Sequence, residues 1–337
     1  MNKKNKWIKL RKFSIYLIYP VLVVLYLLYF PAIDFFPYPW SFLKIISILL
    51  YGTGIPILFY LSLKNKTFLW YITGVYLIIA VIYYSLPASN NRDWEPSVAK
   101  IPIVRFNKNG DKVIIKNIRS FKYKTENDFD PIYVNREYDM KLLDSAYYIL
   151  SYWDNNKAIA HSMLSFGFKD GKFLSISVET RREKGEPQTG LRGIYNQYEL
   201  IYIFADESDL LLLRTNYRNE EVFVYPLKIK KNENLKKVFL EFMHRAQKLE
   251  KYPEFYNTLK ENCFLSLFKD IKKVTGEPSG LDYRMILNGY SDRMGFERDW
   301  FKTNGLPFNK FRQKHHINKY IQTDINPAEN FSKKIRE

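Results

Sequence analysis

The one side chain in this sequence suited to act as a thiol nucleophile is Cys263, the only cysteine, within PEFYNTLKENCFLSLF at Pro253–Phe268. Asn262 is a good helix N-cap type, and Phe264, Leu267, Phe268 and Ile271 recur at helical spacing, which puts the cysteine in the first turn of a helix. Free N–H groups and the positive end of the helix dipole favour a thiolate there, and the thiolate is the reactive form. Glu261, just before the cap, works against it. The alternative is a buried structural thiol, because free cysteine packs as a small apolar residue.

His161 is the candidate base. Ile159–Phe168 and Phe173–Thr180 read as the strands of a hairpin, with Asp170–Gly171 supplying the turn. A three-residue loop with Gly171 left-handed sets His161 opposite Glu179, whereas a two-residue loop moves the register by one and sets it opposite Thr180. A carboxylate in that place fixes the tautomer of the histidine and supports the imidazolium formed in proton transfer. The competing reading is a surface histidine near an ordinary strand-end glutamate. His244 lies off the apolar stripe of its helix and is expected in solvent. His315 and His316 are adjacent, which is not a metal-ligand spacing, and are expected to be exposed. The sequence has no phosphate loop, no GxGxxG and no paired CxxC, and neither metal nor cofactor is expected.

The elements that position these groups follow a definite order. Val113–Ile115, Ile118–Tyr123 and Ile132–Val134 are short β-like runs, and Met140–Trp153 fits either a helix or a strand. After the hairpin, Tyr198–Ala205, Leu210–Thr215 and Glu221–Leu227 read as strands. Leu235, Val238, Phe239, Phe242, Ala246 and Leu249 form the apolar stripe of a helix ending before Pro253. The histidine strand therefore precedes further strands, a helix and the cysteine helix.

The remaining sequence divides by composition. The chain has 52 Lys/Arg against 35 Asp/Glu, of which residues 1–88 hold nine bases and one acid, leaving a net +9 on the rest. That balance suits anionic headgroups, and by charge alone nucleic acid as well; a membrane partner and no nucleic acid is the reading adopted. Lys3, Lys4, Lys6, Lys9, Arg11 and Lys12 precede an apolar run from Phe13 to Phe30. Two more runs follow, Ser41–Leu63 and Phe68–Leu86, each near the roughly 20 residues a bilayer requires. Three spans with the basic N-terminus and Lys64/Lys66 on the cytoplasmic side place everything after Leu86 outside the cytoplasmic membrane. Pro20, Gly52, Gly54 and Pro56 interrupt the spans as packing or kink sites. Ser89–Pro102 is a polar junction in which Trp94 is expected at the membrane interface.

Several blocks in this order resemble one family: NRDW (Asn91–Trp94), IRSFKY (Ile118–Tyr123), AHSMLSFGF (Ala160–Phe168), SISVETRREKGE (Ser175–Glu186), YELIYIFADESD (Tyr198–Asp209), LRTNYR (Leu213–Arg218) and YNTLKENC (Tyr256–Cys263). They look like the Lnb N-terminal periplasmic domain, and histidine before cysteine is similar to the permuted papain-like hydrolases and acyltransferases of the lecithin retinol acyltransferase and NlpC type. The family name comes from a lipoprotein N-acyltransferase of Bacteroides-type bacteria. The resemblance therefore implies a Cys263 nucleophile, a His161 base and a Glu179 orienting group, with Asn262, Tyr256, Asn257, Arg181 and Arg182 binding substrate or supporting the site. In the named enzyme the periplasmic domain precedes the membrane helices, whereas here the helices come first.

The expected architecture is a membrane anchor of three transmembrane helices (1–88), an external α+β catalytic domain of permuted papain-like type (89–275), and a C-terminal extension packed on it (276–337) with a peripheral tail from Pro327. The expected activity is thiol-dependent acyl transfer from a phospholipid, through a thioester on Cys263, to an amine such as the N-terminal cysteine of a lipoprotein. A cysteine amidase or peptidase acting on cell-wall peptide would use the same residues, and a non-catalytic membrane-tethered chaperone or binding domain would use none of them. The basic N-terminus generates a topology prediction: a reporter active only outside the cytoplasm, fused after Glu337, is active. Activity of a cytoplasmic reporter there instead would overturn the three-span reading.

Overall fold

A computed structural model describes residues 18–30, 41–153, 156–229, 231–278, 280, 282–318 and 331–337. The chain forms two compact units, Met1–Ala88 and Ser89–Glu337.

In the first unit, helices α1 (Ile18–Phe30), α2 (Ser41–Leu49), α3 (Ile55–Lys64) and α4 (Thr67–Ser85) are apolar. Two stretches, Lys44–Lys64 and Thr67–Ser85, are long and apolar enough to cross a bilayer, and α1 is shorter. The expected start of the first span at Phe13, the basic residues Lys3–Lys12 and the Ala32–Trp40 connection lie outside the described residues. The Gly52/Gly54/Pro56 interruption takes the form of a π-helical turn, Leu50–Gly54, between α2 and α3. Pro56 has no N–H for the carbonyl a turn back, and a widened turn accommodates that gap without ending the helix. Tyr51 is buried beside it, its hydroxyl donating to the Tyr26 carbonyl at 3.2 Å, while Tyr76 donates to Leu22 at 3.0 Å.

The second unit is α+β around a mixed sheet. Its strands are β1 (Ile103–Phe106), β2 (Lys112–Arg119), β3 (Lys122–Tyr123), β4 (Phe129–Asp130), β5 (Tyr133–Asp139), β6 (Leu143–Tyr152), β7 (His161–Phe168), β8 (Phe173–Arg181), β9 (Glu199–Ala205) and β10 (Glu221–Pro226). The main sheet runs β1-β2-β9-β8-β7-β6-β10, with β5 also on β2, and only the β2/β9 pair is parallel. Helices are α5 (Gly190–Ile194), α6 (Glu207–Leu212), α7 (Asn232–Lys251), α8 (Cys263–Thr275), α9 (Ser291–Glu297), α10 (Phe308–Lys314) and α11 (Phe331–Lys334).

Alternation along the strands makes two cores. Leu164, Phe166, Leu174, Ile176 and Tyr202 pack with Phe239 and Phe242 of α7 and Leu267 of α8. Met163, Ile201 and Ile203 face the other way, onto Leu210 and Leu211 of α6 and Phe331 and Ile335 at the C-terminus. The β7/β8 register settles the open turn: Gly171 has φ +83°, Phe168 N–H bonds the Lys172 carbonyl at 2.9 Å, and Met163 pairs with Ser177. This is the three-residue loop, and it carries His161 towards Glu179.

Four expectations are corrected. Leu210–Thr215 is not a strand: α6 runs into a π-helical turn, Leu213–Tyr217, because Asp206 opens a helix whose first turn is acidic, and a short apolar run has no period to oppose it. Trp94 is buried at 7% exposure, with the Arg181 guanidinium 4.2 Å above its ring, so it is a packing residue of the domain. His315 and His316 are half-buried, and His316 stacks on Phe223 at 4.8 Å because a chain segment after α10 bridges to β10. The tail is anchored where it is described, since Phe331 and Ile335 are buried and Arg336 pairs with Glu207.

Residues after α8 belong to the same core, with Met285, Met294, Phe301 and Phe311 buried in it. The tightest approach is at Gly289, where a Cβ would lie 2.1 Å from the Lys157 carbonyl oxygen. Gly289→Ala is therefore expected to cost about 1–3 kcal/mol through forced backbone displacement. Thermal unfolding of the solubilised full chain checks this, and an unchanged transition would show that the 157–160 segment yields freely.

Candidate active site

Cys263 begins α8 because Asn262 caps it, the Asn262 side-chain oxygen accepting from the Leu265 N–H at 2.8 Å. The turn leading to the cap is stapled by Asn257, whose Oδ1 accepts from the N–H groups of Leu259 and Lys260, both at 3.1 Å. Its Nδ2 donates to the Ile194 carbonyl at 3.0 Å and Asn196 Oδ1 at 2.8 Å. Asn262 and Asn257 thus shape the approach to the thiol.

Cys263 is buried, at 6% exposure, with its sulfur against the start of β7. The Ala160 carbonyl is 3.9 Å from Sγ, and the Ser162 N–H and the His161 ring are within hydrogen-bonding reach. Pairing of β7 with β8 stops at Met163/Ser177. Continuing the ladder would send the Ser162 N–H to Val178; ending it there frees that donor for sulfur.

His161 uses Nε2 on the far side from the thiol, 2.7 Å from Ser177 Oγ and 3.0 Å from Glu179 Oε1. Nδ1 is the nitrogen left for Sγ. Ser177 Oγ donates to Glu179 Oε1 at 2.6 Å, and Arg214 Nη2 donates to the same oxygen at 3.2 Å. With Ser177 spending its proton on Glu179, Nε2 must carry the hydrogen, which is the tautomer that leaves Nδ1 free to take a proton.

Burial alone would push the Cys263 thiol up and His161 down, but their mutual attraction outweighs it. The Glu179 charge and Cys263 lift His161 to about 9, while His161 and the Ser162 N–H bring the Cys263 thiol below its ordinary value. Burial likewise opposes the Glu179 carboxylate, yet His161, Arg214 and Ser177 hold it well below the usual range. All three directions favour a thiolate–imidazolium pair backed by a carboxylate. Tyr256 completes it: its hydroxyl accepts from the Cys263 N–H, and burial, with the Cys263 and Glu179 charges, raises its pKa, so it keeps its proton.

Arg181 and Arg182 are not at the thiol. Arg181 donates to Val98 at 3.0 Å, Ala99 at 2.7 Å and Asn90 Oδ1 at 2.9 Å, and Arg182 holds the Glu186 carbonyl at 3.0 Å. Both are structural supports. Arg92, from the NRDW block, pairs with buried Glu199 at 2.7 Å and with Glu183 at 2.8 Å.

Residues 129–289 match the family model described as the Lnb N-terminal periplasmic domain. The family resemblance is borne out over that segment, which holds five of the seven sequence blocks; NRDW and IRSFKY precede it. A search of curated proteins finds no match, and neither does a search of solved structures. The matched Lnb-type segment spans His161, Glu179, Tyr256 and Cys263, and its family is that of a membrane-associated extracytoplasmic domain.

Sequence reasoning missed three contributors. Ser177 and Arg214 fall in the family blocks but carried no signal of their own, although Ser177, two residues from Glu179, shares its strand face. Asn288 lies beyond the expected catalytic domain. Its Nδ2 donates to Cys263 Sγ at 3.3 Å and its Oδ1 accepts from the Ala160 N–H at 3.0 Å, which fixes the amide orientation.

These shifts define a pH dependence. Alkylation of Cys263 by a small soluble reagent should proceed at neutral pH and fall as pH drops through a midpoint below the ordinary thiol range, where the thiolate is protonated. His161→Ala moves that midpoint up. Asn288→Ala also raises it, by about one to two pH units if one hydrogen bond to a charged group is worth about 1.5–3 kcal/mol. Absence of labelling until the protein unfolds would instead identify a structural thiol.

Proposed function

We propose that this protein is a membrane-bound cysteine acyltransferase whose external domain, of permuted papain-like type, moves an acyl chain from a phospholipid to an amine. The supporting observation is the Cys263–His161–Glu179 alignment at a helix N-terminus, with Cys263 in contact with His161 and His161 Nε2 3.0 Å from Glu179. The Cys263 thiolate attacks the carbonyl carbon of the acyl ester, forming a C–S bond. The Tyr256 hydroxyl, held in place by the Cys263 N–H, is the donor for the oxyanion that develops. Collapse breaks the ester C–O bond, and the His161 imidazolium protonates the departing alkoxide. An amine then attacks the thioester, His161 takes its proton, and the thiolate leaves.

The acceptor class the family resemblance suggests is the amino group of a lipoprotein's N-terminal cysteine. Three membrane spans, with the N-terminus cytoplasmic and the thiol outside, are part of the proposal. A lipid substrate is favoured over wall peptide by a cavity of about 240 Å³ lined mainly by apolar side chains, including Tyr148, Phe166, Leu235, Phe264 and Phe268. Tyr148 and Phe264 border both the cavity and the surroundings of the thiol, and Tyr148 reaches Ser162 Oγ at 2.8 Å. A hydrolase would pass the same acyl group to water.

Incubating the full chain with phospholipid should add an acyl mass to Cys263, and Cys263→Ser should abolish it. Adding an amine acceptor discharges the thioester into an amide. Discharge only to free fatty acid would identify a hydrolase, and no acyl mass would remove the lipid reading. Tyr256→Phe should lower turnover about 10²–10³-fold if its hydroxyl serves the oxyanion. Turnover should rise with thiolate formation and decline above about 9, where His161 no longer holds the proton the alkoxide needs.

A further inference from the structure

Exposed apolar side chains in the second unit are concentrated on the segments that frame the thiol. Ile159 precedes Ala160, whose carbonyl is 3.9 Å from Sγ, and Trp153 follows β6, whose Ser151 pairs with His161. Leu259 sits in the Asn257 turn just before the cap and is 49% exposed. Ile286, 55% exposed, Leu287 and Tyr290 surround Asn288, the residue that donates to sulfur. Leu191 and Tyr283 adjoin the same segments, the first beside Gly190, whose carbonyl accepts from Thr258 at 2.8 Å, the second with its ring 6.4 Å from that of Tyr290. Among the described residues of Ser89–Glu337, the other large apolar side chains left exposed are Ile132, Tyr217 and Tyr252.

We infer that this collar is a lipid-docking surface, which seats the mouth of the thiol site in the headgroup region of a bilayer. Three observations select a bilayer over another protein. First, the chain enters the domain at the end of the sheet that holds the thiol: the Ser89 N–H bonds Glu199 at 3.1 Å, and Glu199 pairs with Arg181, two residues beyond Glu179. Ser85, the last residue of a helix long enough to span a membrane, lies only four positions earlier. Second, the collar mixes Trp and Tyr with aliphatic residues, the composition favoured at a membrane interface. Third, exposed Lys157 and Lys260 stand in the segments of Ile159 and Leu259, on a domain with an excess of basic residues, which suits anionic headgroups. In the proposed reaction the surface delivers the acyl donor, but its existence does not depend on that reaction.

The test therefore avoids turnover. In a Cys263→Ser background, Leu259→Cys, Ile286→Cys and the control Lys169→Cys, at the opposite end of β7, are each labelled with an environment-sensitive fluorophore. The full chain is reconstituted in vesicles of phosphatidylcholine and phosphatidylglycerol containing a doxyl-labelled phosphatidylcholine. Labels at 259 and 286 should be quenched several-fold more than the label at 169, and Ile286→Asp should remove the quenching at 259. Equal quenching at all three positions, or no effect of Ile286→Asp, overturns the inference. So does shielding that follows protein density without lipid quenching, which would make the collar a contact between two copies. Measured in the otherwise unaltered chain, Ile286→Asp should leave alkylation of Cys263 by a soluble reagent unchanged, separating loss of docking from loss of the thiol site.

Discussion

Cys263 and His161 are buried in contact with each other, and forming a thiolate and an imidazolium there is the main constraint on this domain. Removing such ions from solvent costs several kcal/mol each, and their mutual attraction offsets that only if the remaining hydrogen-bonding capacity is filled. Each part of the fold near Cys263 fills some of it. The capped start of α8 supplies the positive helix end, the open end of the β7/β8 ladder supplies the Ser162 N–H, and the segment after α8 supplies the Asn288 amide at 3.3 Å.

The compensation continues outward as a chain of alternating charge. Glu179 backs the imidazolium, Arg214 backs Glu179 at 3.2 Å, and buried Glu220 lies 3.8 Å from Arg214. Ser151, which pairs with His161 across β6 and β7, donates to Glu220 at 2.5 Å. The line returns to the strand from which it started. Breaking it at Arg214 would take from Glu179 its guanidinium partner and leave Glu220 with Arg218 at 3.8 Å, so Arg214 supports the carboxylate behind the histidine although it does not touch the sulfur.

How much of this was legible follows from where each signal resides. Helix α8 and its cap were local, written in Asn262 and the spacing of Phe264, Leu267, Phe268 and Ile271, and α8 does start at Cys263. The hairpin was local too, but a left-handed Gly171 satisfies two loop lengths equally, and only the Phe168–Lys172 bond and the Met163/Ser177 pairing decide between them. Leu210–Thr215 failed because an unbroken apolar run has no period, and the acidic first turn at Glu207 and Asp209 outweighed the strand-like composition. Asn288 failed for a different reason. An Asn-Gly pair on a loop reads as a turn, and its role arises from contacts 25 residues back to sulfur and 128 back to Ala160, which no local pattern encodes.

That long-range closure links the chemistry to the surface. Gly289 lies so close to the Lys157 and Ala158 carbonyls that no side chain fits, its N–H bonds Ala158 at 3.0 Å, and its carbonyl accepts from Tyr152 at 2.5 Å. The neighbouring Asn288 is thereby fixed against the start of β7, and the same short segment turns Ile286, Leu287 and Tyr290 outward. The turn is closed within itself as well, the Tyr290 N–H bonding the Leu287 carbonyl at 3.1 Å. The hydrogen bond to the Cys263 sulfur and the exposed apolar side chains Ile286, Leu287 and Tyr290 thus belong to one short segment, which the close approach of Gly289 to the 157–158 backbone holds in place.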